Sequence, residues 1–329
     1  MRTVSDRPEQ LTPELIRQRV QVTYQEDGGT VTAYTDSDGE ICSTVYQLYP
    51  GISLIHKDVH RPNFISNWRH NPKEVLNIEH CREGRIECSM GENMLYLAPG
   101  DIVVFRTDYA VQETLYPLNH YHSSMISIDL TEPSAQLLDL MCRAGSNVGS
   151  LMKKYRLDQG HFCVLKENAA LKRLFSDIYS APESVKTAYW GIKVQELLLL
   201  LEASVPQEDE HPVRCISRTQ AAVAKEAHRY LMEHLRERIT IQHLAKLLST
   251  SPTQLKEGFR AVYGTSIQTF VRQQRIHASA LMLKQTDMKV RDIAELFGYI
   301  NVSKFSAAFQ AVTGMTPTEY REQIDRQTN

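Results

Sequence analysis

Between residues 41 and 130, apolar positions alternate with polar ones over short runs, the period of a strand with one buried face. In the run 85–90, Ile86, Cys88 and Met90 alternate with Arg85, Glu87 and Ser89. Leu76, Ile78 and His80 alternate in the same way, and Glu83-Gly84 between the two runs predicts a hairpin turn. Pro99-Gly100-Asp101 predicts another turn, joining a strand over 93–97 to one over 102–106. Short strands with this punctuation predict a small antiparallel barrel or sandwich. From about residue 131 the period becomes helical. Trp190, Val194, Leu197 and Leu201 are spaced four, three and four apart, and Leu198, Leu199 and Leu200 widen the stripe until the helix is apolar almost all round. Such a helix suits either a core or the seam of a homodimer, and these four residues are its candidate seam.

The run from Ala203 to Pro212 holds two prolines and an acidic stretch, which break a helix and pack poorly. The chain therefore reads as a strand-rich region over 1–130, a helical region over 131–204, a linker over 205–218 and a second helical module over 219–329. The fold class is α+β, ending in an all-α domain.

That last module repeats itself. Ala245 matches Ala294, Leu255 matches Phe305, Phe259 matches Phe309 and Gly264 matches Gly314. In each copy an apolar-Ala pair lies on a short helix, where alanine permits a close crossing. A tight turn follows, over Ser249–Ser251 in one copy and Gly298–Asn301 in the other. Ser251 and Asn301 are N-cap residues for a second helix, and Gly264 and Gly314 are its αL stops. Leu255 with Phe259, and Phe305 with Phe309, bury one face of that helix. Helix, tight turn and helix make a helix-turn-helix unit, present twice. The intervening residues 266–285 predict one long helix of roughly 30 Å, close to the ~34 Å repeat of DNA. On the outward faces, Thr253, Lys256 and Glu257 in the first unit and Ser303, Lys304 and Ala307 in the second are candidate base readers: lysine donates to guanine, glutamate accepts from cytosine, and alanine packs on a thymine methyl. Ser251, Arg260 and Asn301 are candidate phosphate contacts.

Residues 219–325 resemble the DNA-binding domain of the AraC/XylS family of transcription regulators. Ile293-Ala294, Gly298-Tyr299, Phe305, Phe309, Gly314-Met-Thr-Pro317 and Tyr320-Arg321 carry the likeness. Tyr49-Pro-Gly-Ile52, the run 80–85 and Pro99-Gly-Asp101 more weakly resemble the cupin-like sensor domains of some members. The resemblance implies an N-terminal cupin-like β-barrel with a helical appendage, a small-molecule effector, double-stranded DNA as partner, a homodimer, and contact with RNA polymerase. The sequence departs from the pattern where Ala307 and Ala308, which the helical pattern places on the outer face, stand where members often carry arginine, and where Gln310 replaces a frequent lysine.

Charge sharpens the division. From Arg218 onward there are 16 Lys/Arg against 10 Asp/Glu, leaving 21 against 29 in the first 217 residues. A mildly basic module joined to an acidic partner domain suits a DNA reader. The six cysteines are scattered with no C-x-x-C pair, which argues against a zinc ribbon or disulfide framework; Cys81 and Cys88 are merely near one another. The polar opening 1–10 reads as no signal peptide, and the most apolar run, 197–201, is far short of a membrane span, so the reading is cytoplasmic. No Ser/His/Asp order, P-loop or dinucleotide turn is present, and no enzyme activity or cofactor is expected. His120-Tyr-His122 is the one H-x-H, yet Pro117 and Asn119 place it in a loop and no glutamate follows at the cupin interval; His56 and His60 flanking Asp58 read as a polar strand end, so no metal is expected. The leading function is a ligand-responsive transcription factor. The alternatives are a DNA-binding regulator whose N-terminal domain only mediates protein interaction or oligomerisation, and, further off, a cupin-type metalloenzyme.

Overall fold

A computed structural model describes residues 2–4, 20–64, 75–90, 93–106, 114–131, 139, 142, 147–157, 162–166, 168–204 and 215–328. The chain divides into two compact units, one ending at Cys215 and the other beginning at Ile216. The division falls inside the expected linker, whose residues 205–214 lie outside the described residues.

The first unit contains β1 (Arg2–Val4), β2 (Val20–Glu26), β3 (Gly29–Asp36), β4 (Gly39–Tyr49), β5 (Ile52–His60), β6 (Asn63–Phe64), β7 (Val75–Gly84), β8 (Ile86–Met90), β9 (Asn93–Leu97), β10 (Asp101–Arg106), β11 (Thr114–Leu115), β12 (Tyr121–Asp129) and β13 (Cys163–Lys166). Its helices are α1 (Val148–Lys154), α2 (Ala169–Tyr179) and α3 (Lys186–Ala203). The larger sheet runs β1-β2-β3-β4-β5-β12-β7-β10-β13, and a smaller one carries β9-β8-β11-β6. The larger sheet is an open ladder rather than a closed barrel.

Three local expectations are corrected here. Glu83-Gly84 does not make a hairpin: β7 pairs with β12 and β10, whereas β8 pairs with β9 and β11 in the other sheet. Nor is the region after residue 131 wholly helical, because β13 returns to pair with β10. Alternation also fails in β8, where Arg85 beside it and Glu87 within it are buried along with Ile86; the Glu87 carboxylate accepts from the Tyr96 hydroxyl at 2.6 Å.

The larger sheet is covered on one face by α2 and α3. Leu54, Ile78, Ile102, Val104, Ile126 and Ile128 pack there against Leu171, Phe175, Ile178, Trp190, Val194 and Leu197. The intervening side chains Val59, Cys81, Val103 and Tyr121 point the other way and join Ile86, Leu95 and Leu97 of the smaller sheet. A two-residue period thus feeds two cores from the same strands. The Trp190 indole donates to the Ile178 carbonyl at 2.9 Å, fixing α3 on α2.

This packing overturns the expected dimer seam. Trp190, Val194, Leu197 and Leu201 are at most 5% exposed and belong to the core of their own unit. The helix has a second apolar stripe instead: Val185, just before it, with Ile192 and Leu199 within it, is 53%, 61% and 41% exposed at seven-residue spacing.

The second unit contains α4 (Arg218–Glu233), α5 (Ile241–Leu247), α6 (Pro252–Tyr263), α7 (Ile267–Gln285), α8 (Val290–Leu296), α9 (Val302–Thr313) and α10 (Pro317–Thr328). Helix α4 opens on a capping box between Ser217 and Gln220, buries Ala221, Ala224, Ala227 and Leu231, and packs on α6. Helix α7 touches α6 and also α8, α9 and α10. Its Ile276, Ala280 and Leu283 form a core with Ile293, Ala294, Phe297, Phe305 and Phe309. Among the described residues no helix is long and apolar enough to cross a membrane.

Candidate nucleic-acid interface

The two copies of the repeat fold alike because each turn closes through the same bonds. Thr250 N–H donates to the Ala245 carbonyl at 3.0 Å, and Tyr299 N–H donates to the Ala294 carbonyl at 2.9 Å. Just before each donor the backbone is left-handed, with φ +51° at Ser249 and +80° at Gly298. The second turn then has one residue more than the first, Ile300, whose side chain is wholly exposed.

The helices that follow are capped as the sequence predicts. The Ser251 hydroxyl accepts from Gln254 N–H at 3.2 Å and donates to the Gln254 side-chain oxygen at 3.2 Å. Asn301 Oδ1 accepts from the Ser303 and Lys304 N–H groups at 2.8 and 3.3 Å. At the far ends Gly264 and Gly314 are left-handed, and their N–H groups donate to the Arg260 and Gln310 carbonyls. Ser251 and Asn301 therefore shape the helix starts with their side chains, and what they offer a phosphate is the partial positive charge of those ends.

Inward faces are aromatic. Phe259 meets Tyr263 and Phe270, and His228 stacks on Tyr263 at 4.6 Å; desolvation there holds the His228 imidazole below its ordinary pKa. In the second copy Phe305 meets Tyr299 and Phe309, and Phe309 meets Tyr320. Arg275 on α7 ties the module together: its guanidinium donates to the Leu235 and Glu237 carbonyls at 2.8 and 2.7 Å and lies beside the Gly298 turn. Arg321 similarly donates to the Thr286 and Met288 carbonyls.

Outward faces carry the candidate readers. Thr253, Lys256, Glu257 and Arg260 are all exposed on α6, and Ser303, Lys304 and Ala307 are exposed on α9. Ala308 is not on that face, as it is half-buried against the core around Phe305 and Phe309. Gln310 and Ala311 are exposed beyond it. Ile300 was overlooked by sequence reasoning, yet the one-residue offset between the two turns marks it. Helix α7, with 19 residues, is about 28 Å long at 1.5 Å per residue.

Capped second helices with buried aromatic and open polar faces, present twice around a spacer helix, define a double helix-turn-helix module. Residues 244–323 match the family model described as a helix-turn-helix domain. It is 30% identical over 93 residues to the bifunctional transcriptional activator/DNA repair enzyme AdaA of Bacillus subtilis, covering 28% of this chain and 44% of that protein. It is 31% identical over 150 residues to the HTH-type transcriptional activator RhaR of Yersinia pseudotuberculosis, covering 44% of this chain and 51% of that one. The chain thus spans about half or less of these relatives' length. Among solved structures, the DNA-binding domain of the transcriptional factor AdpA, in complex with a target DNA, aligns with a TM-score of 0.31 and 22% identity over 32% of this chain and 94% of that chain.

Proposed function

We propose that the protein is a sequence-specific DNA-binding transcription regulator, with its C-terminal module reading double-stranded DNA in two successive major grooves. The observation that carries this is the pair of exposed polar helix faces on α6 and α9, each set by an N-cap, a left-handed turn and a buried aromatic pair. The name transcriptional activator borne by relatives such as RhaR supports the same reading. Thr253, Lys256 and Glu257 are the principal base readers, Ser303, Lys304 and Ala307 the lesser ones, and Arg260 holds phosphate together with the helix starts at Ser251 and Asn301.

The N-terminal unit is the cupin-like sensor in this proposal. Between its two sheets the buried Glu79 carboxylate accepts from Lys57 Nζ at 3.0 Å, Ser123 Oγ at 2.7 Å and Tyr121 Oη at 3.2 Å. A buried ion pair contributes little net stability, so such a polar cluster fits a site that recognises a small polar effector. A redox role for Cys81 and Cys88 has no such support. Neither takes part in a disulfide, and burial, followed by the Glu79 charge, pushes the Cys88 thiol up to about 12, away from the thiolate that redox chemistry needs. The unit also dimerises through the exposed stripe of α3.

Selection of bound sequences from a random DNA pool by the full chain tests the main proposal. A single enriched motif with two half-elements about one helical turn apart is expected, and residues 216–329 alone should bind it more weakly. No enrichment from a folded protein overturns it.

A further inference from the structure

In the first unit, β5 and β12 gather three metal-ligating side chains that neither the DNA-binding module nor the polar cluster at Glu79 uses. Along β5 the even-numbered residues share one face; Leu54 is buried against the helices, whereas Asp58 and His60 at its end are exposed. His122 is paired directly opposite Asp58 on β12 and points the same way. Asp58 Oδ1 lies 2.8 Å from His60 Nε2 and 3.2 Å from His122 Nε2. The two imidazoles stand perpendicular, their centroids 5.2 Å apart. One ligand atom from each of the three residues lies within 4.8 Å of the others.

We propose that Asp58, His60 and His122 form a binding site for a divalent transition-metal ion of the zinc class. Ligand atoms held about 2.0–2.2 Å from such an ion stand roughly 3.3–3.6 Å apart in a tetrahedral site, so the carboxylate opens slightly from each ring and the two imidazoles bring their ligand atoms to the same separation around the ion. Two neutral imidazoles and a carboxylate suit Zn2+, Co2+ or Ni2+ and not Mg2+ or Ca2+, which take oxygen ligands.

The strand ends are also held in place by backbone. Gly39 (φ +128°) lies so close to the His60 carbonyl that a Cβ there would stand 2.0 Å from its oxygen, and a Cβ on Gly84 would stand 2.1 Å from the His120 oxygen. The backbone at the ends of β5 and β12 is therefore closely packed beside His60 and His122, which lowers the cost of ordering them around an ion. With Asp58 and His60 exposed, the remaining coordination positions face solvent and take water or an external donor. This site does not depend on the DNA-binding reading.

The test uses the full chain, stripped of metal and titrated with Zn2+ by calorimetry and with Co2+ by visible absorption. One equivalent should bind, with the d–d bands of a four- or five-coordinate Co2+ ion. Asp58→Asn, His60→Ala and His122→Ala should each weaken binding by more than tenfold, about the least that loss of a ligand costs when outer-sphere changes alone cost 10–100-fold. His120→Ala should leave it unchanged, since that ring lies 6.3 Å from His122 and its Nδ1 contacts the Leu118 carbonyl at 3.1 Å. Circular dichroism checks that each variant is folded. A native chain without a one-equivalent site, or a site that survives all three ligand substitutions, overturns the proposal.

Discussion

Ser249 and Gly298 hold equivalent places in the two turns, yet only one is glycine. Both are left-handed, a conformation that costs an L-residue with a Cβ about 1–2 kcal/mol. Glycine escapes that cost but loses more chain entropy on folding. Gly298→Ala should therefore destabilise the module by about 1 kcal/mol. Its new Cβ would sit 3.4 Å from an Arg275 guanidinium nitrogen, a contact that adds little strain. Ser249→Gly should stabilise the module by about 0.5 kcal/mol, the difference between the two opposing effects. Urea unfolding of residues 216–329 measures both. Equal and negligible shifts would mean that the turns relax to other conformations. Gly298 is legible in the sequence, because a glycine within a turn signals a left-handed residue; Ser249 carries no such signal and emerges only from the backbone.

At the scale of elements, the reading helices differ in what they offer DNA. Helix α6 exposes Thr253, Lys256, Glu257 and Arg260, whereas α9 exposes Ser303, Lys304 and Ala307, with Ala308 turned toward the core. A bidentate base contact contributes about 1–3 kcal/mol of discrimination. Lys256→Ala should relax preference at one or two base pairs, and Lys304→Ala should do so less. Arg260→Ala should weaken all sequences together and reduce the salt slope by about one, as loss of a phosphate contact does. A matrix of these variants against single-base changes, at two salt concentrations, decides. A larger change in preference from Lys304→Ala makes α9 the principal reader. These helices were legible because their caps, turns and i, i+4 aromatic pairs are set by residues only a few positions apart. The strands were less so. β7 and β8 alternate like a hairpin, but which sheet each joins depends on β10, β12 and β9, and alternation says nothing of that choice. The same limit hid the grouping of Asp58 and His60 with His122, since the register of β5 on β12 brings together residues more than sixty positions apart.

For the whole molecule, the proposed dimer turns on which face of α3 is left to meet a second copy. The a/d-like spacing of Trp190, Val194, Leu197 and Leu201 looked equally suited to core and seam, and burial assigns it to the core. What is left outside is Val185, Ile192 and Leu199, one residue per heptad, with Ala188 and Gln195 at the intermediate positions. A stripe of this kind on a helix already anchored by its other face suits pairing with the same helix of a second copy. The two stripes predict opposite results from the same chemical change. Leu197→Asp places a charge where no water reaches, at a cost of several kcal/mol, and should unfold or aggregate the N-terminal unit. Ile192→Asp and Leu199→Asp place it where the chain alone is solvated, so each variant should keep its circular dichroism and melting behaviour while the dimer dissociates at concentrations at which the native chain remains paired. Sedimentation velocity over a concentration series reads the assembly, and binding to a two-element operator should weaken in parallel as avidity is lost. If Ile192→Asp and Leu199→Asp are both folded and as dimeric as the native chain, the seam lies on another surface.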